Sequence, residues 1–266
     1  MMNLRYSRYY GMMTMLLLVV FFCMFADGAS LKMPSIFSDH AVLQQNAVVP
    51  VWGWGSTGAE VTVSIAGQVK AGRIGDGGKW RVDLEAMTAG GPYELVIESD
   101  GEAIVLSDLL IGEVWLGSGQ SNMQWTIKNT EEYEEELKQC ENDSIRFAMI
   151  YREHSAEEID EFSNLTPWAS CTAETLGGCY DGAGFSAVSY YFAKYLQEEL
   201  GVPVGIINTS WGGTRIEPWT PPEGFEQVSS LADIAATVRM NTPDSTEYQS
   251  VLRDTIAEAE AWLPAA

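Results

Sequence analysis

Three near-continuous apolar runs in the second half of the chain place the strongest limit on its fold. They occupy residues 109–116, 145–150 and 204–207. Strands that are buried on both faces have this composition, which is typical of parallel sheets. Two segments with helical character lie between them, the acidic residues 131–139 and the amphipathic residues 185–196. The alternation of strands and helices predicts a three-layer α/β/α domain.

The first part of the chain has a different pattern. Between residues 31 and 107, glycine-rich turns separate short apolar stretches at 47–54, 60–66, 79–84 and 93–99. Strands with this spacing and no helical periodicity predict a small β-sandwich. We therefore expect a β-sandwich module over 31–107 and an α/β domain over 108–266.

The α/β domain has few strands for its class. A last helical face recurs over residues 248–262, and only three apolar runs precede it. Open sheets usually have about five or six strands. We therefore expect that the C-terminal part of this domain is missing from the sequence.

The N-terminus has the layout of a secretory signal peptide. Arg5 and Arg8 precede an apolar core at 12–25, and the small residues Ala26 and Gly28 follow it. The pattern predicts cleavage after Gly28 and a secreted or periplasmic protein. Because the apolar core is shorter than the roughly 20 residues that span a bilayer, a retained membrane anchor is the less favoured alternative.

Charge and cysteine content exclude several classes of protein. The chain has 15 basic and 37 acidic residues, a formal net charge of -22, which argues against binding to nucleic acid or to anionic membranes. After signal cleavage Cys140, Cys171 and Cys179 remain, without a Cys-x-x-Cys motif for a metal or redox centre. Either Cys171 pairs with Cys179 or all three are buried thiols. The sequence indicates no metal and no organic cofactor.

One serine has the setting of a nucleophile. In VWLGSGQSNM, residues 114–123, an apolar strand breaks into small residues around Ser121. A serine hydroxyl needs a base to take its proton and donors to receive the charge on the attacked carbonyl. The motif is not the Gly-x-Ser-x-Gly elbow, because Met123 replaces the last glycine. A second glycine-containing loop, 208–214, follows the third apolar run, so both loops should face one cleft.

Several ordered motifs over about residues 31–220 resemble the sialate O-acetylesterase family of the SGNH hydrolase group. They are PSIFSDHAVLQ at 34–44, VWGW at 51–54, GEVW at 112–115, GQSNM at 119–123, IRF at 145–147, FSAV at 185–188 and PVGIINTSWGGT at 203–214. The resemblance implies a β-sandwich module before an SGNH-type domain. It also implies a serine esterase that removes O-acetyl groups from sialic acids or related sugars.

The resemblance assigns roles to four residues. Ser121 corresponds to the nucleophile, and its backbone N–H would belong to the oxyanion hole. Gly213 would supply the second backbone donor, with Gly212 as the alternative, and Asn122 would have a supporting role.

Two segments of the family pattern have no match in this chain. Neither Trp-x-Gln-Gly-Glu, which carries a side-chain oxyanion donor, nor Asp-x-x-His, which supplies the base and its orienting acid, follows Thr214. Phe37 and Tyr151 stand three residues before His40 and His154, so neither histidine completes the second pattern. We expect His40 to be structural and His154 to lie in a surface loop, with a substitute base as the alternative for His154.

Three functions therefore compete. The favoured hypothesis is a secreted carbohydrate O-acetylesterase with an acetyl-Ser121 intermediate. One alternative is a truncated, non-catalytic protein that binds glycans through exposed tryptophans, for which Trp52, Trp54 and Trp80 are candidates, although such residues more often pack in a core. The other is an esterase that acts on acetylated plant polysaccharide.

Overall fold

The computed structural model describes residues 29–155 and 158–263. The predicted signal peptide at 1–28 lies outside the described residues. Within them, no helix is both long enough and apolar enough to span a membrane.

The N-terminal strands form two packed sheets, as predicted. They are β1 (Val42–Gln44), β2 (Val49–Trp54), β3 (Glu60–Ile65), β4 (Gln68–Arg73), β5 (Lys79–Leu84), β6 (Gly90–Ser99) and β7 (Glu102–Gly119). One sheet has the order β4-β3-β6-β7, with β1 parallel to β7, and the other is the antiparallel pair β2-β5. Val61, Val63 and Ile65 are buried while Thr62 and Ser64 are half-buried. This alternation directs one face of β3 into the shared core.

Strand β7 joins the two parts of the molecule. Its first half pairs with β6, and residues 113–119 pair in parallel with β10 (Val204–Ser210). The expected boundary between residues 107 and 108 therefore lies inside a continuous strand, at the point where Asp108 has a φ of +57°. The location of the domain boundary stays a prediction.

Beyond β7, the large sheet continues into the α/β part, which contains the three predicted apolar strands. β10 lies between β7 and β8 (Asn142–Ile150) and is parallel to both, and β9 (Leu165–Cys171) adds antiparallel to β8. The residue just before β10, Pro203, lies very close to Gly112 of β7. Position 112 requires glycine, because a Cβ there would lie 2.1 Å from the carbonyl oxygen of Pro203. The α/β class is confirmed.

Seven α-helices are present in the described residues. They are α1 (Ser121–Gln124), α2 (Tyr133–Gln139), α3 (Ala173–Gly182), α4 (Ala187–Leu200), α5 (Pro222–Glu226), α6 (Ala232–Asn241) and α7 (Thr246–Trp262). Helix α4 agrees with the predicted amphipathic segment and ends at Gly201 in the left-handed conformation. It covers one face of the β10 and β8 strands, and the other face packs on the N-terminal core.

Two expectations about helices need correction. The acidic composition of residues 131–139 predicts a solvated helix, but Glu136 of α2 is buried, where it accepts hydrogen bonds from Tyr190 and Lys194 of α4. The amphipathic pattern at 248–262 does form helix α7, yet α7 buries no residue.

The three cysteines among the described residues are free thiols. Cys140 and Cys171 are buried and Cys179 is half-buried, without a link between Cys171 and Cys179. Burial raises the pKa of Cys179 to about 11, so its thiol is protonated at neutral pH and is a weak nucleophile.

Candidate active site

The two loops that the sequence predicted to meet lie side by side. Gly119 and Ser210 are in register at the carboxyl ends of β7 and β10, and the N–H of Trp211 donates to the Gly119 carbonyl at 2.9 Å. Because the strands are parallel, the chain leaves both in the same direction. Ser121, the first residue of α1, therefore lies beside the loop that contains Gly212 and Gly213.

The two glycines of this loop have different partners. The N–H of Gly213 points at the Ser121 Oγ from 3.4 Å, whereas the N–H of Gly212 donates to the Gln124 Oε1 at 2.6 Å. Gly213 has a φ of +84°, in the left-handed region that favours glycine. Of the two candidates, Gly213 has the N–H that is directed at the Ser121 hydroxyl. Asn122 lies exposed on α1.

A buried polar network lies beneath the serine. The side chain of Asn208, fully buried in β10, donates to Ser189 at 3.0 Å and accepts from Ser210 at 2.9 Å. The Ser186 hydroxyl, also buried, donates to the Met123 carbonyl at 2.7 Å and caps α4 by accepting from the Ser189 N–H. These bonds hold α1 and the end of β10 against α4.

Ser121 opens into a cleft of about 590 Å³. Its other lining residues include Gln124, Trp125, Lys128 and Arg152. Trp125 is 55% exposed, so its ring is available to a ligand. A cavity of about 620 Å³ lies elsewhere, between β8, β9 and α3, and does not include Ser121. We place the candidate site in the smaller cleft because it contains Ser121 and Gly212, the neighbour of Gly213.

Neither histidine hydrogen bonds to Ser121 in the described structure. His40 lies beside the start of the parallel part of β7, where its Nδ1 is 2.7 Å from the Asp108 carboxylate. About nine residues of strand, roughly 30 Å, separate Leu110, next to this pair, from Gly119. His40 is therefore outside the site, as expected for a structural residue.

His154 lies in the exposed loop after β8, at the same edge of the sheet as Ser121. Its ring centroid is 6.1 Å from that of Trp211. His154 therefore lies nearer to the glycine loop than His40 does. The Ser121 hydroxyl, however, has only the Gly213 N–H as a hydrogen-bond partner among the described residues. The base was not identified from the sequence, and these contacts do not supply one.

No sequence motif singles out the cleft residues Gln124, Trp125, Lys128 and Arg152. Gln124 and Trp125 follow Ser121 directly and could have been considered from their position alone. Lys128 and Arg152 had no local pattern, since they come from different loops that meet only in the fold. Among the described residues, no three His, Cys, Asp or Glu side chains are grouped to hold a metal.

Comparison with known proteins shows the family to which the chain belongs. The family model described as "Carbohydrate esterase, sialic acid-specific acetylesterase" matches residues 111–254, a segment that contains both Ser121 and Gly213. The chain belongs to this family. Members of the family are carboxylic-ester hydrolases, so the expected enzyme class agrees with the match.

Relatives have the same family name. Sialate O-acetylesterase from Rattus norvegicus is 33% identical over 220 residues, which are 77% of this chain and 40% of the relative. The Homo sapiens protein of that name is 34% identical over 210 residues, 73% of this chain and 39% of the relative. The chain thus spans about 40% of the length of these relatives.

A solved structure supports the fold assignment. The crystal structure of a carbohydrate acetylesterase from Xanthomonas citri superposes with a TM-score of 0.67 at 33% sequence identity. The match covers 73% of this chain and 43% of that chain.

Proposed function

We propose that this chain is a carbohydrate O-acetylesterase that hydrolyses O-acetyl esters of sialic acids or related acetylated sugars, with Ser121 as the nucleophile. The observation that carries the proposal is the 3.4 Å approach of the Gly213 N–H to the Ser121 Oγ across the ends of two parallel strands. A nucleophile and a backbone donor in this arrangement favour acyl transfer.

The reaction would proceed in two steps. Ser121 Oγ attacks the acetyl carbonyl, and the N–H groups of Ser121 and Gly213 stabilise the negative charge on the carbonyl oxygen. The C–O bond to the sugar then breaks, the sugar oxygen takes up the proton of the serine hydroxyl, and acetyl-Ser121 remains. Water attacks this ester, which releases acetate and restores the serine.

Trp125 and the volume of the cleft support a sugar as the substrate. An exposed indole ring beside the nucleophile can pack against the apolar face of a sugar ring. Trp80, by contrast, is buried in the sandwich core, which weakens the case for a glycan platform built from Trp52, Trp54 and Trp80. We further propose that the protein acts after export, in the secreted or periplasmic space, because residues 1–28 have the layout of a signal peptide.

The test uses two serine variants. We expect the wild-type chain to become acetylated on the peptide that contains Ser121 when p-nitrophenyl acetate is added. We expect it to release acetate from 9-O-acetyl-N-acetylneuraminic acid slowly, because no described residue acts as a base toward Ser121. Ser121→Ala should abolish both signals, because the attacking oxygen is lost. Ser118→Ala, three residues earlier on β7, is the matched control and should retain both.

Acetate release that is equal in the two variants would contradict a Ser121 mechanism. A wild-type chain that binds the sugar but neither releases acetate nor becomes acetylated would favour the non-catalytic glycan-binding alternative. Faster release from acetylated xylan oligosaccharides would favour the plant polysaccharide esterase.

A further inference from the structure

The cleft beside Ser121 has a charge opposite to that of the protein as a whole. Lys128 and Arg152 are the charged side chains among its described lining residues, and both are cations. The chain has a net charge of -22. Two cations without an acidic lining partner are therefore not explained by overall composition, and they create a local positive potential beside the nucleophile.

Arg152 is held in place by aromatic rings. Its guanidinium carbon lies 5.0 Å from the ring centroid of Tyr151 and 5.9 Å from that of Trp211. Both distances are within the range of cation–π contacts. Trp211 belongs to the glycine loop that contains Gly213, so the guanidinium group is positioned relative to the same loop as the oxyanion donor.

Arg152 has no acidic partner in the part of the chain that the structure describes. None of the ion pairs there includes it, and its N–H groups make no hydrogen bond to a described residue. Its backbone φ of +44° lies in the left-handed region, which is rare for a long side chain and is often found at functional sites. An ordered guanidinium whose N–H donors have no acceptor among the described residues fits the planar, two-oxygen geometry of a carboxylate.

Lys128 contributes charge from the opposite loop. Its ammonium donates to the Gly182 carbonyl at 2.5 Å, which holds the side chain at the cleft and leaves its positive charge uncompensated by that neutral partner. Lys128 therefore adds to the positive potential of the cleft from a different position than Arg152.

We propose that Arg152 is a specificity-determining residue that binds the carboxylate of an acidic acetylated sugar, with Lys128 adding to the attraction. This inference rests on the proposed function and narrows it: Ser121 would act on acidic acetylated sugars in preference to neutral ones. The role is one of substrate selection, since neither cation contacts the Ser121 hydroxyl.

Binding measurements separate this proposal from catalysis. The probes are 9-O-acetyl-N-acetylneuraminic acid and its carboxyl methyl ester, which differ only in the charged group. Titration calorimetry on the full chain with Ser121→Ala prevents turnover during the measurement. We expect the acid to bind about tenfold more tightly than the methyl ester, because a hydrogen-bonded carboxylate and guanidinium are lost in the ester.

Substitutions then assign the difference to one residue. Arg152→Gln should remove the preference for the acid and leave the affinity for the methyl ester unchanged, and Arg152→Lys should retain part of it. Arg253→Gln, which removes the same charge from the exposed helix α7, is the matched control and should retain the full preference.

Equal affinity of the Ser121→Ala chain with Arg152 intact for the two probes would overturn the proposal, as would absence of binding by both. An equal loss of affinity for both probes in Arg152→Gln would also overturn it, because it would indicate a structural role. Failure of the proposed function has a different signature, namely acetate release that does not depend on Ser121, and it can be recognised whatever the binding data show.

Discussion

Gly213 shows how the site depends on the backbone of one residue. Its φ of +84° directs the N–H toward the Ser121 Oγ, and the space where a Cβ would lie is open. A side chain at this position would therefore meet no atom and would act only through the backbone conformation. The left-handed conformation costs a non-glycine residue about 1 kcal/mol.

The left-handed conformation of Gly213 gives a prediction at the scale of the residue. Gly213→Ala should lower the free energy of unfolding by about 1 kcal/mol and should lower kcat for acetyl ester hydrolysis by about 10-fold to 100-fold, because the N–H moves away from the developing oxyanion. Urea unfolding and steady-state kinetics measure the two effects.

Gly101→Ala is the matched control. Gly101 has a φ of +82° in the turn between β6 and β7, also with open space around the missing Cβ. The Gly101→Ala variant should show the same loss in the free energy of unfolding, with an unchanged kcat for acetyl ester hydrolysis. Equal kinetic losses in the two variants would show that the effect of Gly213 is general strain and not a lost donor.

At the scale of the element, one carboxylate joins two helices. Glu136 of α2 accepts from the Tyr190 hydroxyl at 2.6 Å and from the Lys194 ammonium at 2.8 Å, both on α4. Burial alone raises the pKa of Glu136, but the hydrogen bonds from Lys194 and Tyr190 outweigh it and hold the pKa below its ordinary value. The ionised form is therefore favoured by folding.

Glu136→Gln should lower the free energy of unfolding by about 2 kcal/mol at pH 7, because it leaves the partly buried Lys194 without its counter-charge. Since the folded pKa is the lower one, the contribution of Glu136 is complete above the unfolded pKa of about 4.3 and is lost as the pH falls through the folded pKa. Urea unfolding from pH 7 to pH 3 should show a shallower acid loss in the variant.

Glu135→Gln provides the control on the same helix. Glu135 is exposed, and its ion-pair partner among the described residues is the exposed Lys138, so its loss should change stability by less than about 0.5 kcal/mol. An effect of Glu136→Gln no larger than this would show that the contact between α2 and α4 is energetically unimportant.

The whole molecule has an unprotected edge. Residues 113–119 of β7 pair with β10 on one side and with no described strand on the other. Trp115 and Leu116 point to opposite faces of the sheet, and both are exposed, Leu116 to 63%. An open apolar strand edge favours association with another chain.

We expect the chain to self-associate as its concentration rises and Leu116→Lys to weaken this association by about tenfold or more, because an apolar contact is replaced by a charge. Sedimentation velocity over a concentration series measures the change. Val48→Lys removes a valine of similar exposure, 60%, from a turn outside the sheet edge and should have no effect. A monomeric wild-type chain at all concentrations would contradict the prediction.

Much of the architecture could be predicted because burial leaves a periodic trace in the sequence. The runs at 109–116, 145–150 and 204–207 fall in β7, β8 and β10, and the pattern at 185–196 falls in α4. Strand β4 was missed because its one large apolar residue, Val69, is exposed. Strand β9 was missed because Pro167 and exposed polar residues interrupt its apolar pattern.

The sequence by itself determined the class of the fold, the three parallel strands of the α/β part and the position of Ser121 at a strand end, since each follows from periodicity within a few residues. Only the tertiary structure decided that the N–H of Gly213, and not that of Gly212, points at the Ser121 hydroxyl, that Glu136 is buried and that Arg152 lines the cleft. Each of these depends on which distant segment lies opposite, and the pairing of segments is set by packing of the whole sheet, which no local pattern encodes.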